Sequence, residues 1–491
     1  MKPHRREYSA KNADRFMKRV ILLAVCLAGC ARFEPQPISP ARMATELDAR
    51  RLDDEGLKEF LEQNLGHEPE HWPLKSWDLK ALTLAAFYFH PTLDVARAQW
   101  RVAQAGARTA GGRPNPSLNL VPGYDFSAAN GLSPWIPFFS VDVPVETAGK
   151  RGHRIARAQH LSESAWLNIA TVAWQARSRV HAGLLDSVIA DRRAALLEWQ
   201  AGVQEQIVKL LEQRLAVGGI SQPELTAARI ALNRTRLDLD DTKAKRAEAR
   251  MRLAESLGVS GNALEGLELA FDFSERATDD LTSAEARRLA LQGRPDILSA
   301  LAAYAAAEAE LQLQIARQYP DIHLSPGYQY DQGDNKWTLG VTFELPVLNQ
   351  NQGPIAEANA RREEAAARFT ALQARVIGEI DRAVAAHRTA QERLVTTDAL
   401  LSAERQQQQS VEAQLKAGAV DQLDLFNVQF ELGTALLAQL DGQAKWQQSL
   451  GALEDALQRP MDSTEGTGSL SSLVDTPRRG SEPSTRNGGR P

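Results

Sequence analysis

The chain has 491 residues, a formal net charge of -5, 6% aromatic residues and two cysteines. The acidic balance excludes a general nucleic-acid binder. Sparse aromatics and long tracts rich in Ala, Gln, Arg and Glu argue against ordinary globules and for long helices packed through small side chains.

In chain order, Met17-Lys18-Arg19 precedes an apolar run from Val20 to Ala28, then Gly29-Cys30. A short basic segment, a short apolar segment and small residues form a secretory signal over 1–29. The run is about nine residues, whereas a bilayer span needs about 20. Residues 1–16 read as a start-site extension, with Met17 a possible initiator. The stretch Leu27 to Cys30 (LAGC) resembles the lipobox of bacterial lipoproteins. That resemblance implies cleavage before Cys30 and a diacylglycerol on its sulfur. Ala31 in place of Asp after the cysteine then implies the outer membrane. With Cys26 removed and Cys30 acylated, no thiol is left for a disulfide or a Cys-based metal site. The lipidated segment 30–77 contains His67-Glu68-Pro69-Glu70-His71, which spells the zinc-protease pattern H-E-x-x-H. That mechanism needs both imidazoles on one helical turn, and Pro69 disrupts a helix interior. No catalytic residue, metal ligand or cofactor is therefore expected; weak metal binding by the loop stays open.

From residue 78 the chain is written twice. His90-Pro91 matches Arg294-Pro295, and Pro122-Gly123-Tyr124 recurs about 200 residues later as Pro326-Gly327-Tyr328. Val143-Pro144-Val145 matches Leu345-Pro346-Val347, and Gln213 to Leu225 matches Ala413 to Leu425. A period this long marks a duplicated unit, over 78–257 and 284–458, joined by an equatorial segment 258–283. Each unit reads helix, two strands, very long helix, turn, helix. The first helices are expected over about Asp78 to Arg108 and Ala284 to Arg317. Proline is absent from Val145 to Gln222 and from Ile355 to Arg459. These tracts suit helices of about 65 residues, on the order of 100 Å long. Gly218 and Gly418 fit helix C-caps, and Ser221 and Asp421 fit the N-caps that follow. By length, 221–257 stacked on 284–317, and 421–458 on 78–108, would each match one long helix. The tail 459–491 is rich in Ser, Gly, Pro, Thr and Arg and reads as disordered.

The four strands alternate with a two-residue period, so they have two different faces. Leu118, Leu120, Tyr124 and Phe126 oppose Asn119 and Asp125; Phe139, Val141, Val143 and Val145 oppose Ser140 and Asp142. Ile322, Leu324, Tyr328 and Tyr330 oppose His323 and Gln329; Trp337, Leu339, Val341 and Phe343 oppose Thr338 and Thr342. Runs of about ten such residues are long enough to cross an outer membrane as tilted strands. Four cannot close a barrel, and an open edge in lipid would leave backbone groups unpaired. Several chains would have to share one barrel.

This order, duplication and pair of Gly-centred turns resembles the TolC-like outer-membrane efflux proteins, in their lipoprotein branch. The resemblance covers about residues 78–458. The family's second turn is matched by Ala417, Gly418, Asp424, Leu425, Phe426 and Gln429; Gly149-Lys150-Arg151 is similar to the heavy-metal subgroup. The resemblance implies a mainly α fold with a small β membrane part. A homotrimer would share a twelve-stranded barrel above a coiled-coil α-barrel. It implies a passive duct from periplasm to exterior for metal cations or small toxic compounds, working with a periplasmic adaptor and an inner-membrane pump. It places a pore constriction at Asp424, Glu224 and Asp421, with Asn427 departing from the second acidic position. It places adaptor contacts at Leu215, Gly218, Leu225, Leu415, Gly418 and Leu425. A coiled-coil envelope lipoprotein without a conduit is the competing reading, and strand alternation argues against it.

Overall fold

The computed structural model describes residues 33–69, 71–129, 131–273 and 281–459. The signal segment, Met17, Cys26, Cys30 and the tail beyond 459 lie outside them. The chain divides into a unit ending at Ala49 and a unit from Arg50 onward. In the first, α1 (Pro40–Asp48) begins at Ser39, whose side chain accepts from the Arg42 N–H, and none of its residues is buried.

The second unit opens with α2 (Glu55–Leu65), β1 (Ser76–Trp77), α3 (Leu79–Phe89) and α4 (Pro91–Ala110). The hairpin β2 (Ser117–Tyr124) and β3 (Trp135–Val145) leads into α5 (Lys150–Ala216) and α6 (Gln222–Leu257). After β4 (Glu268–Leu269) the order repeats: α7 (Ala284–Gly293), α8 (Pro295–Ala316), β5 (Ile322–Asp331), β6 (Asp334–Phe343), α9 (Gln352–Lys416) and α10 (Gln422–Leu457). The long helices α5 and α9 have 67 and 65 residues, about 100 Å each.

The expected continuous first helix of each repeat is broken. His90 and Arg294 are extended, with ψ of 120° and 133°. A residue before proline is driven out of the helical region, and each proline then starts the next helix, where its missing N–H costs nothing.

The end-to-end pairing also differs from the length match. Arg50 Nη1 donates to Phe89 O at 2.6 Å and to Gly258 O at 2.9 Å. The end of α6 therefore abuts the α3–α4 junction of its own repeat. Gly258 sits at φ +76°, and a Cβ there would lie 3.0 Å from His90 Cα. In the second repeat Arg294 Nη1 donates to Ala456 O at 2.6 Å, so the end of α10 abuts the start of α8. Connectivity explains this: α6 is tied to α5 by a tight turn, and α4 is tied to it through the β2–β3 hairpin. Arg154 Nε on α5 holds Ala110 O at the end of α4 at 2.8 Å.

Side by side, α5 lies between α4 and α6 on one flank and α8 and α10 on the other, and α9 packs on α8 and α10. The strands follow the same lateral order, β2-β3-β5-β6, all antiparallel. Among the described residues β2 and β6 are unpaired on their outer sides, as α4–α6 and α9 are the outer helices. Midway along α5, one core gathers Ile169, Ala173, Leu184, Leu253 and Leu257 with Phe60, Trp77 and Phe89. Residues of α2, ahead of the first repeat, and Leu264, between the repeats, belong to this core.

The seam between α5 and α10 is polar and buried. Arg177 Nη1 meets Glu454 Oε2 at 3.0 Å, with both side chains under 10% exposed. Trp174 Nε1 donates to Asp455 Oδ1 at 3.0 Å. The neighbouring His181 packs on Phe271 at 5.5 Å and against Gly451, where a Cβ would come within 2.6 Å of the ring. Burial pushes the His181 pKa down to about 4. Unfolding then takes up a proton between about pH 6.5 and 4, so this group lowers stability as pH falls through that window. The difference between pH 7 and pH 4 is on the order of 3 kcal/mol. Urea unfolding of the detergent-solubilised protein, followed by tryptophan fluorescence, should show that loss, and His181→Gln should flatten it.

Candidate functional site

Two regions carry the residues singled out from the sequence: the helix turns far from the sheet, and the sheet itself. At the first turn Gly218 is left-handed (φ +73°), and Gly219 N donates to Arg214 O at 2.8 Å. At the second, Gly418 has the same φ, and Ala419 N donates to Gln414 O at 2.9 Å. Both turns thus end a long helix by capping its orphan carbonyls, and glycine supplies the conformation this needs.

The acidic candidates cap the helices that follow. Glu224 Oε1 accepts from Ser221 N at 3.3 Å and from Ser221 Oγ at 2.6 Å. Asp424 Oδ2 accepts from Asp421 N at 3.0 Å, and Asp421 Oδ1 accepts from Leu423 N and Asp424 N at 2.7 and 3.1 Å. These are reciprocal capping boxes. Asp421 also joins the two turns, because its Oδ2 lies 2.5 Å from Arg214 Nη2 at the end of α5. That hydrogen bond holds the Asp421 carboxyl below the usual carboxylate range. The pair spans two sequence segments some 200 residues apart, so nothing local in the chain announces it. Among the described residues these carboxylates form no cluster fit for a metal ion. Asn427 is exposed.

The apolar candidates separate. Leu225 is 2% exposed and packs with Val208, Leu211, Leu215 and Leu232, which corrects its reading as a contact offered to a partner. Its own turn needs it, because two helices meeting at a tight connection close their last layer with it. Leu215, Leu415 and Leu425 are half-buried, and Gly218 and Gly418 are exposed. Val217, which the sequence pattern does not single out, projects from the first turn at 83% exposure.

The sheet is inside out. On its apolar face Leu118 is 62%, Leu339 70% and Trp337 79% exposed, whereas Ser140 on the other face is 6% exposed. Aromatic rings run across that apolar face from Trp337 to Tyr328 to Phe139, with centroids 5.0 and 5.2 Å apart. Tyr124 and Trp135 pair at 5.0 Å near the β2–β3 connection. The opposite face is hydrogen-bonded: Asp142 meets His323 Nδ1 at 2.9 Å and Ser325 Oγ at 3.0 Å. Asp125 accepts from Gln332 Nε2 at 2.6 Å.

The H-E-x-x-H stretch lies beyond α2, which ends at left-handed Gly66. His67 and His71 follow that cap in irregular backbone and do not share a helical turn. None of the described helices is long and apolar enough to cross a membrane.

The family model described as "Outer membrane efflux protein" matches residues 89–259 and 286–458. The cobalt-zinc-cadmium resistance protein CzcC of Cupriavidus metallidurans is 28% identical over 230 residues, covering 46% of this chain and 53% of its own length. The chain thus spans about half the length of that relative. The pyoverdine export outer membrane protein OpmQ of Pseudomonas aeruginosa is 25% identical over 367 residues, 68% of this chain and 74% of that protein. In fold, the chain is similar to the outer membrane protein VceC of Vibrio cholerae, with a TM-score of 0.63 at 19% identity over 78% of this chain and 97% of that one.

The caps and the Leu225 layer are separable by hydrogen exchange. Asp424→Ala should raise exchange at the start of α10 by about 1 kcal/mol of local stability and leave the first turn unchanged. Leu225→Ala should loosen the first turn by about 2–5 kcal/mol with α10 unaffected.

Proposed function

The chain belongs to the outer membrane efflux protein family, and we propose that three copies form one passive duct across the outer membrane into the periplasm. One observation carries this reading: a four-stranded sheet with its apolar face bare, hydrogen-bonded polar side chains on the other face and, among the described residues, both edges unpaired. In lipid such an edge would leave backbone N–H and C=O groups unsatisfied, at several kcal/mol each. Three sheets joined β6 to β2 make twelve strands and leave no edge. The helices have the same lateral order, so joining α9 to the next copy's α4–α6 closes an α-barrel below.

Such a duct does no chemistry and takes its energy from elsewhere, so we place an inner-membrane pump and a periplasmic adaptor at its far end. The two turns form that end. Asp421, Asp424 and Glu224 put carboxylates there in every copy, and rings of one charge select ions. The Arg214–Asp421 bridge ties the two turns together and would hold the end narrow. Val217, Gly218 and Gly418 are exposed at the turns and would offer contacts to an adaptor, with the half-buried Leu215, Leu415 and Leu425 beside them. We assign the cargo to metal cations or small toxic compounds. The first class is supported by a relative named for cobalt, zinc and cadmium resistance. Acylation at Cys30 would add a lipid anchor to the barrel.

A coiled-coil spacer would not need bare aromatic rows on its sheet. Purified protein should run as a trimer by native mass spectrometry in detergent and conduct in planar bilayers. Arg214→Ala should raise single-channel conductance by releasing the turns. A monomer, or a trimer that stays silent even with that substitution, would refute the duct. Cys30→Ser should abolish acyl mass; unchanged acylation would refute the anchor.

A further inference from the structure

Within one chain α10 lies along α5, and residues a heptad apart make the contact. Arg193 on α5 pairs with Asp441 on α10. Two turns further along α5, Gln200 Nε2 donates to Phe430 O at 3.4 Å and to Thr434 Oγ1 at 3.1 Å. Between these two points Leu437 packs on Ala194 and Leu197.

The other repeat supplies the same two helices at one constant shift: Gly418 for Gly218 at the turn, Gln422 for Gln222 and Leu457 for Leu257 at the helix ends. Arg193 and Gln200 on α5 therefore correspond to Arg393 and Leu400 on α9. Phe430, Leu437 and Asp441 on α10 correspond to Ile230, Leu237 and Asp241 on α6. The charges recur in place, arginine on the long helix and aspartate on the short one. In a single chain they cannot meet, because α9 and α6 stand on opposite flanks. Arg393 and Asp241 are both exposed, and among the described residues neither is in an ion pair. Leu237 is 66% exposed, and Ile230 and Leu400 are nearly half exposed. On α9, His387 and Asp398 already meet Ser449 and Gln439 of α10, and Arg393 and Leu400 lie beside that seam.

We propose that α9 of one copy and α6 of the next repeat the α5–α10 contact, with Arg393 paired to Asp241 across the copies. The partner is a second copy of this chain. The inference rests on the duct reading and adds to it the register in which copies join. Leu400 then covers Ile230, and Leu237 takes the place that Leu437 has against α5. The charge pair selects this register against its neighbours. A slip of one helical turn would set Arg393 against Leu237 or Lys245, one apolar and one of like charge.

The test is oxidative cross-linking of the full-length protein in detergent, read on a denaturing gel beside native mass spectrometry. Arg393→Cys combined with Asp241→Cys should move the chain to dimer and trimer mass. Either substitution alone, with Cys30 still present, should not. Arg193→Cys combined with Asp441→Cys, the equivalent pair inside one chain, should lose its free thiols at monomer mass. Arg393→Cys combined with Glu248→Cys, about 10 Å further along α6, should stay uncross-linked. A native trimer that forms no disulfide between Arg393→Cys and Asp241→Cys, or forms one as readily with Glu248→Cys, would overturn this register and leave the duct standing. A native monomer would overturn the duct and this inference together.

Discussion

A backbone hydrogen bond that has nowhere to go governs this molecule. Strands β2 and β6 each present an outer row of N–H and C=O groups, on a sheet whose apolar side chains already face outward. In water the bare aromatics would be the liability; in lipid the bare edges would be. Lipid would cover the aromatics, and pairing with further copies would satisfy the edges. The helical part meets the same demand, because α4–α6 and α9 are the outer helices and, among the described residues, each leaves one flank without a neighbour.

The helical half is arranged so that those edges coincide. Each long helix continues from a strand, α5 after β3 and α9 after β6, and each short upper helix leads into one, α4 into β2 and α8 into β5. Lateral order is therefore shared from one end to the other. The buried guanidinium of Arg294 and the half-buried one of Arg50 lock the places where two short helices meet end to end. The α5–α10 seam joins the repeats through Arg177 and Glu454. A charge pair at such depth is stabilising only while both partners stay in place, so it favours one lateral register between the repeats.

Much of this was legible in the residues. Duplication, strand alternation, the two long helices and the glycine turns each have a signature in the chain, and each appears in the structure. The places where reading fell short share a cause. Lengths alone suggested stacking between repeats, but short helices stack within a repeat because each is tethered to its own long helix. His90 and Arg294 each precede proline, and that clash breaks a stretch whose expected bounds, Asp78 to Arg108 and Ala284 to Arg317, run straight through it. Leu225 looked like a free apolar contact because exposure is not written in spacing. Val217 went unnoticed for the same reason.

By itself, the sequence determined the period-two alternation, the repeat and the caps, since those follow from side-chain chemistry within a few residues. Tertiary structure alone decided which groups meet across distance: Arg214 with Asp421, Arg177 with Glu454, His323 with Asp142. Each pair joins the first repeat to the second. No local propensity encodes such a contact; it exists only once both copies of the unit lie side by side.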